Sequence, residues 1–287
     1  MTAFVYEGDD GCRLHAVTLG SGPAMILLHG GGPDHRSLLP LARRLADRRT
    51  LILPDVRGYG RSVCTNPDRH TWTQYSQDVT SLLDHLGLDR AVVGGTGLGG
   101  TIALRAAATH PERIGAALVI SAEDIEDDEA KQNEAAMFDR FAARVTSDGI
   151  EAAWSDLLPG LAPLIGNLVR EAIPRSDPAS IVAACAIGRD RAFRSVEELR
   201  SICVPALIVP GADARHPTGL GQEMARTLPH GQLAPVALSE SLRTAEDLGQ
   251  AMAPAIEDFL DTQARLAQST ASPHVARPSS PSAAELI

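Results

Sequence analysis

Two acid/base pairs and one run of carboxylates stand where a reaction could use them. Asp213 and His216 share the segment Ala212-Asp213-Ala214-Arg215-His216-Pro217, and an imidazole oriented by a nearby carboxylate is the arrangement of a general base. The same pair also reads as a surface loop ahead of the helix that follows Pro217. Asp34 and His35 adjoin His29-Gly30-Gly31-Gly32-Pro33 and form a second candidate acid/base pair. Because aspartate is a strong N-cap residue, Asp34 reads more readily as the cap of a helix beginning near Arg36. Glu123 and Asp124 follow the predicted sixth strand, at the rim where an acid could serve a reaction, and they head an acidic run to Glu129, which reads more readily as the solvated first turn of a helix. Gly95-x-Gly97-x-x-Gly100 formally satisfies a dinucleotide fingerprint, yet no acidic residue closes the next apolar run, Leu118-Val119-Ile120-Ser121. A nucleotide cofactor is therefore not expected. Cys12, Cys64, Cys185 and Cys203 lack C-x-x-C spacing, so no metal is expected and the thiols read as reduced ones in a cytoplasmic protein.

The elements that must position these groups are legible as alternating patterns. A hairpin is predicted from Ala3–Glu7 and Arg13–Leu19 around Gly8-Asp9-Asp10-Gly11. Nearly continuous apolar runs follow at Met25–His29, Thr50–Pro54, Ala91–Gly94, Ala116–Ser121 and Ala206–Pro210, as suits strands buried on both faces of a parallel sheet. Amphipathic stretches Ser37–Asp47, Thr73–Leu86 and Leu98–His110 lie between them. Gln232–Ala237 reads as a last strand and Ala245–Leu266 as a closing helix. Strand and helix in alternation imply an α/β fold. From 122 to 204 only helical patterns occur, at Asp128–Arg144, Ile150–Leu158, Leu161–Glu171, Pro178–Ile187 and Val196–Ile202, punctuated by prolines. The expectation is a core domain of residues 1–121 and 205–267, a helical cap of 122–204, and a disordered Ser/Pro/Ala-rich tail of 268–287.

Three segments fall at the carboxyl ends of the predicted strands, where open parallel sheets bind ligands: His29–Pro33, Asp55-Val56-Arg57-Gly58-Tyr59-Gly60-Arg61-Ser62, and Gly95-Thr96-Gly97-Leu98-Gly99-Gly100. Their order and spacing resemble the α/β-hydrolase superfamily over about Phe4–Leu260. The resemblance implies a mostly parallel eight-stranded sheet with helices on both faces and a helical cap. It also implies that Gly31 or Gly32 and Leu98 supply the N–H groups of an oxyanion hole. The family's elbow reads G-x-S-x-G, and here Gly97 stands in place of the serine. Shifting the frame to make Thr96 the nucleophile would put Leu98 where the tight turn needs a small residue. The family's acid position falls on Ala214, with Asp213 one residue early. Its histidine is missing from Ala237–Ala245, where the slot falls near Ser241 or Leu242, and His230 precedes the last strand. By this resemblance the chain is a divergent member without the Ser-His-Asp triad. His29, Asp55 and Arg57 match structural positions. Tyr59 and Trp72 could line the pocket or simply pack, and His15, His70, His85 and His110 read as structural.

Composition narrows what such a site would meet. The chain has 287 residues, net charge −10, 44% hydrophobic and 3% aromatic residues. A chain this long buries about 75% of its unfolded surface, enough for a core without disulfides or metals. The acidic balance disfavours nucleic acid or an anionic membrane surface. No apolar run approaches the ~20 residues of a membrane span, and the N-terminus has no signal-peptide pattern. Three functions are compatible with an oxyanion hole that lacks a nucleophile. One is a cofactor-independent lyase, isomerase or cyclase acting on an apolar small molecule. The second is a non-catalytic ligand-binding protein, and the third is a hydrolase of epoxides or activated esters with relocated residues.

Overall fold

In the computed structural model, residues 1–123, 125, 127–211 and 216–271 are described. The hairpin forms as β1 (Thr2–Glu7) and β2 (Arg13–Gly20), antiparallel to each other. Six further strands follow: β3 (Ala24–Leu28), β4 (Thr50–Pro54), β5 (Ala91–Thr96), β6 (Ile114–Ile120), β7 (Ala206–Val209) and β8 (Gly231–Leu233). The sheet order is β1-β2-β4-β3-β5-β6-β7-β8, parallel from β4 onward. This is the eight-stranded, mostly parallel sheet that the resemblance to the α/β-hydrolases implied.

Alternation along each strand decides which layer a side chain joins. Ile52, Val93, Ala117 and Val119 face one core, which packs against α2 (Trp72–His85), α3 (Leu98–Thr109) and α8 (Thr218–Thr227). Leu51, Leu53, Leu118 and Ile120 face the other, against α1 (Leu39–Leu45) and α9 (Ala245–Ala271). Helices thus cover both faces, as the doubly apolar strands require. The sequence between β6 and β7 supplies α4 (Asp128–Asp148), α5 (Ile150–Leu157), α6 (Pro163–Ala172) and α7 (Pro178–Ala184). Val196–Ser201, expected as an α-helix, is a 3-10 helix, and the helix from Pro178 tightens to 3-10 geometry after Ala184.

Two boundaries differ from the expectation for physical reasons. The last strand ends at Leu233 rather than Ala237, because Pro235 carries no N–H with which to continue a ladder. The closing helix runs to Ala271, four residues into the stretch expected to be unstructured; residues 272–287 lie outside the described part. Beneath the sheet's carboxyl edge, Arg57 fastens three segments together. Its buried guanidinium donates to Asp78 at 2.6 and 2.8 Å and to Asp10 at 3.0 Å twice. That holds the Asp55–Ser62 loop against the first hairpin and α2, in keeping with a structural role for Arg57.

Candidate active site

The elbow forms at the frame read from the glycine spacing. β5 ends at Thr96, α3 starts at Leu98, and Gly97 between them has φ 49° and ψ −118°. Such backbone strongly disfavours an L side chain. The flanking glycines are required by contact: a Cβ on Gly95 or Gly99 would lie 2.3 or 2.2 Å from the Leu28 carbonyl oxygen. Above Gly97 there is room. The nearest atoms to a Cβ built there are those of the Glu123 carboxylate, with Oε1 at 3.7 Å.

Glu123 reaches this place because the chain turns sharply after β6. Ser121 takes a left-handed φ of 58°, and its N–H still bonds the Val209 carbonyl at 2.9 Å. Two residues on, the fully buried Thr101 clamps the Glu123 backbone. Its hydroxyl donates to the Glu123 carbonyl at 2.7 Å and accepts from the Glu123 N–H at 3.2 Å. Thr101 sits in the first turn of α3, so the carboxylate is fixed relative to the helix that carries Leu98. Across from it, His216 Nε2 lies 3.3 Å from Glu123 Oε2, with side chains only 6% and 11% exposed. The pair borders a cavity of about 340 Å³ whose floor includes Gly31, Gly32, Gly97 and Leu98 and whose walls come from the helices between β6 and β7.

The N-terminus of α3 brings unpaired N–H groups and the positive end of the helix dipole to this floor. The Gly30–Gly32 loop is held beside it by His29, which is fully buried. His29 Nε2 accepts the Val56 N–H at 2.9 Å, leaving Nδ1 to donate to the Gly30 carbonyl at 2.8 Å. Burial keeps this imidazole neutral by lowering its pKa, against the pull of Asp55. The arrangement sets the Glu123 carboxylate and the His216 imidazole opposite a floor of backbone N–H groups; Gly97 brings no side chain to the apex of the elbow, while the hydroxyl-bearing Thr96 and Ser121 also border the cavity.

Comparison with known proteins identifies the fold. Residues 23–162 match the family model described as alpha/beta hydrolase fold. A thermophilic esterase from Thermogutta terrifontis superimposes with TM-score 0.77 at 25% identity, covering 92% of this chain and 99% of that one. The fold is that of the α/β-hydrolases. The bottromycin epimerase BotH shares it, with TM-score 0.66 at 21% identity over 93% of this chain and 100% of that one. Among curated sequences, the 2-hydroxy-6-oxo-6-phenylhexa-2,4-dienoate hydrolase of Burkholderia cepacia is 32% identical over 121 residues. That match covers 40% of this chain and 41% of the relative, so the chain spans less than half of that relative's length.

Against the α/β-hydrolase plan, the candidate residues separate clearly. Gly31, Gly32, Gly97, Leu98 and His216 border the cavity. Asp213, the expected partner of His216, lies outside the described residues. Asp34 and His35 are corrected: neither borders the cavity. Asp34 is 3% exposed, caps the following turn by accepting the Arg36 N–H at 3.0 Å, and accepts from Arg175 Nε at 2.7 Å. Burial opposes its ionised form, but Arg175 and the Arg36 N–H hold its carboxyl below the usual range. His35 is turned toward Asp55, with Nδ1 at 2.7 Å from Oδ1. Glu123 is corrected in the opposite sense, from a solvated helix turn to a cavity wall.

In the stretch after β8, where the plan would put its histidine near Ser241 or Leu242, the residue bordering the cavity is Leu238. His230 lies at the far rim, its carbonyl accepting the N–H of Ala206 at the start of β7. Tyr59 borders the cavity beside Gly31, whereas Trp72 is core. His15, His35 and Asp55 are the cluster of metal-ligating types among the described residues, with ligand atoms within 4.8 Å of one another. Both Asp55 oxygens are already taken, by His35 N–H and Nδ1 and by the Arg61 N–H at 2.9 Å. The cluster is a buried hydrogen-bonded knot under the loops. No helix among the described residues is long and apolar enough to cross a membrane.

Proposed function

We propose that this chain is a cofactor-independent enzyme that moves protons at carbon, a lyase, isomerase or cyclase by class, acting on an apolar small molecule. One observation carries the reading: the Glu123 carboxylate stands over Gly97 at the apex of the elbow, 3.7 Å from where a nucleophile's Cβ would be, with His216 within 3.3 Å. A carbonyl compound bound with its oxygen toward Leu98 and Gly31 or Gly32 puts its adjacent C–H bond before that carboxylate. Glu123 takes the proton, the C–H electron pair becomes a C=C bond, and the carbonyl π electrons move to oxygen. The N–H groups and helix dipole receive the developing oxyanion. His216 passes the proton on. The enolate then recaptures a proton, expels a leaving group from the next carbon with its electron pair, or attacks an electrophilic carbon of the same molecule. The epimerase among the fold's neighbours supports the view that this scaffold is not confined to hydrolysis. Four free thiols, two of them buried, fit a reducing cytoplasmic setting.

A second reading has its own support in the names of several relatives, among them a hydrolase and an esterase. In that reading the Glu123–His216 pair activates water against an ester or epoxide. Incubation in D₂O with a panel of enolisable ketones distinguishes the two. Wild type exchanges the hydrogen next to the carbonyl, Glu123→Gln does not, and a fluorophosphonate probe leaves the protein unlabelled. Ester turnover lost in Glu123→Gln, without exchange at carbon in any ketone, would replace the first reading with the second.

A further inference from the structure

The make-up of the cavity walls points to a narrower ligand class than "apolar small molecule". The chain holds only five Phe, two Trp and three Tyr, and four of these aromatics (Tyr59, Phe138, Phe141 and Trp154) border this one cavity. Phe141 and Trp154 meet edge to face, with centroids 4.8 Å apart and planes at 66°. The Trp154 ring also lies against the Gly30–Gly32 loop. A Cβ on Gly32 would fall 3.0 Å from Trp154 Cζ2 and 2.9 Å from Val169 Cγ2. Gly32 has φ 100°, so it is a glycine twice over, by backbone and by the indole packed on it. The indole is therefore wedged between Phe141 and the loop. A carbonyl bound at that loop directs whatever it carries against a fixed aromatic wall.

Charge selects further. The described residues bordering the cavity include no lysine or arginine. An anionic head at the floor would meet the Glu123 carboxylate in a site shielded from water, where like charges repel strongly. A cation fares no better, because the floor presents N–H donors and the positive end of α3, and Glu123 is already engaged by His216. The volume, about 340 Å³, lies at the low end of the roughly 300–1,000 Å³ of small-molecule sites. It suits one or two rings rather than a peptide or a long acyl carrier.

We propose that the substrate is a neutral carbonyl compound bearing one or two aromatic rings, its oxygen at the Gly31–Leu98 floor and its ring against Trp154 and Phe141. This rests on the proton-transfer reading only for the place of the carbonyl. The test therefore measures binding apart from turnover, by calorimetry on the full chain with four bicyclic probes. 2-Tetralone is the neutral aromatic ketone, 2-naphthoate its anionic counterpart, 2-aminotetralin the cation and 2-decalone the non-aromatic ketone. 2-Tetralone should bind about tenfold more tightly than 2-naphthoate and 2-aminotetralin and about fivefold more tightly than 2-decalone. Trp154→Leu should erase the aromatic preference, and Glu123→Gln should improve 2-naphthoate binding about tenfold. Tighter binding of the anion, the cation or the decalone, or no 2-tetralone binding at about 1 mM, would overturn the proposal. Normal binding with no exchange of the ketone's hydrogens in D₂O would instead count against the catalytic reading alone.

Discussion

Placing a side chain on Gly97 separates the backbone's requirements from those of the chemistry. At φ 49° and ψ −118° an L residue is strained, at a cost of roughly 1–3 kcal/mol. Space is not limiting, since the first contact of a new Cβ is the Glu123 carboxylate at 3.7 Å, an ordinary van der Waals distance. The narrowed unfolded ensemble returns about 0.4–1 kcal/mol. Gly97→Ser should therefore fold, with a net loss of about 1 kcal/mol and a melting temperature lower by about 2–4 °C. Gly99→Ala is the contrast. Its Cβ would sit 2.2 Å from the Leu28 carbonyl oxygen, so β3 and α3 must separate, and the loss should exceed about 3 kcal/mol. Urea unfolding of the three proteins reads both numbers. The chemical outcome is the sharper one. The introduced hydroxyl would point at a carboxylate and would find no imidazole after β8, where Leu238 stands. Gly97→Ser should hydrolyse no activated aryl ester and take up no fluorophosphonate. Rapid labelling of that variant, abolished by His216→Ala, would show a complete relay wanting only its hydroxyl and refute the reasoning.

Thr101→Val keeps the shape of the side chain and removes both bonds to the Glu123 backbone. It should cost about 1–3 kcal/mol in urea unfolding and slow deuterium exchange about tenfold, with Thr101→Ser restoring both; an unchanged exchange rate would show that Glu123 is held by other means. His70 accepts from the Tyr75 hydroxyl at Nδ1 and donates to the Cys64 carbonyl at Nε2, and burial lowers its pKa from 6.5 to about 4. The unfolded chain therefore binds a proton that the native chain refuses between those values. Its contribution is complete above pH 6.5 and declines by up to about 3 kcal/mol as pH falls toward 4; urea midpoints from pH 7.5 to 4.5 should fall less steeply in His70→Gln than in wild type.

The fold was largely legible because its strands are buried on both faces. Runs such as Leu51-Ile52-Leu53 and Leu118-Val119-Ile120 need no partner information to be recognised, and β4 falls on the expected residues. The elbow was legible for a related reason, since Gly95 and Gly99 are dictated by contacts with one neighbouring strand. The Glu123–His216 pair was half legible. His216 stood out by type, but Glu123 was concealed in a run of carboxylates, and nothing local marks which of them turns inward. That choice is made by the left-handed turn at Ser121 and by a hydroxyl 22 residues away in sequence. The cap reading of Asp34 holds, but as cavity candidates Asp34 and His35 fail for the same reason. Their partners, Arg175 and Asp55, lie 141 and 20 residues away, so short spacing to the glycine loop was no guide to where they point.

Thr101 grips the main chain at the threshold of α4–α7, before those helices depart from the sheet. The Glu123 carboxylate is therefore held in register with the elbow by α3 rather than by the helices that enclose the cavity. The same anchor would let the enclosing helices be exchanged for others without shifting Glu123 from its place above Gly97.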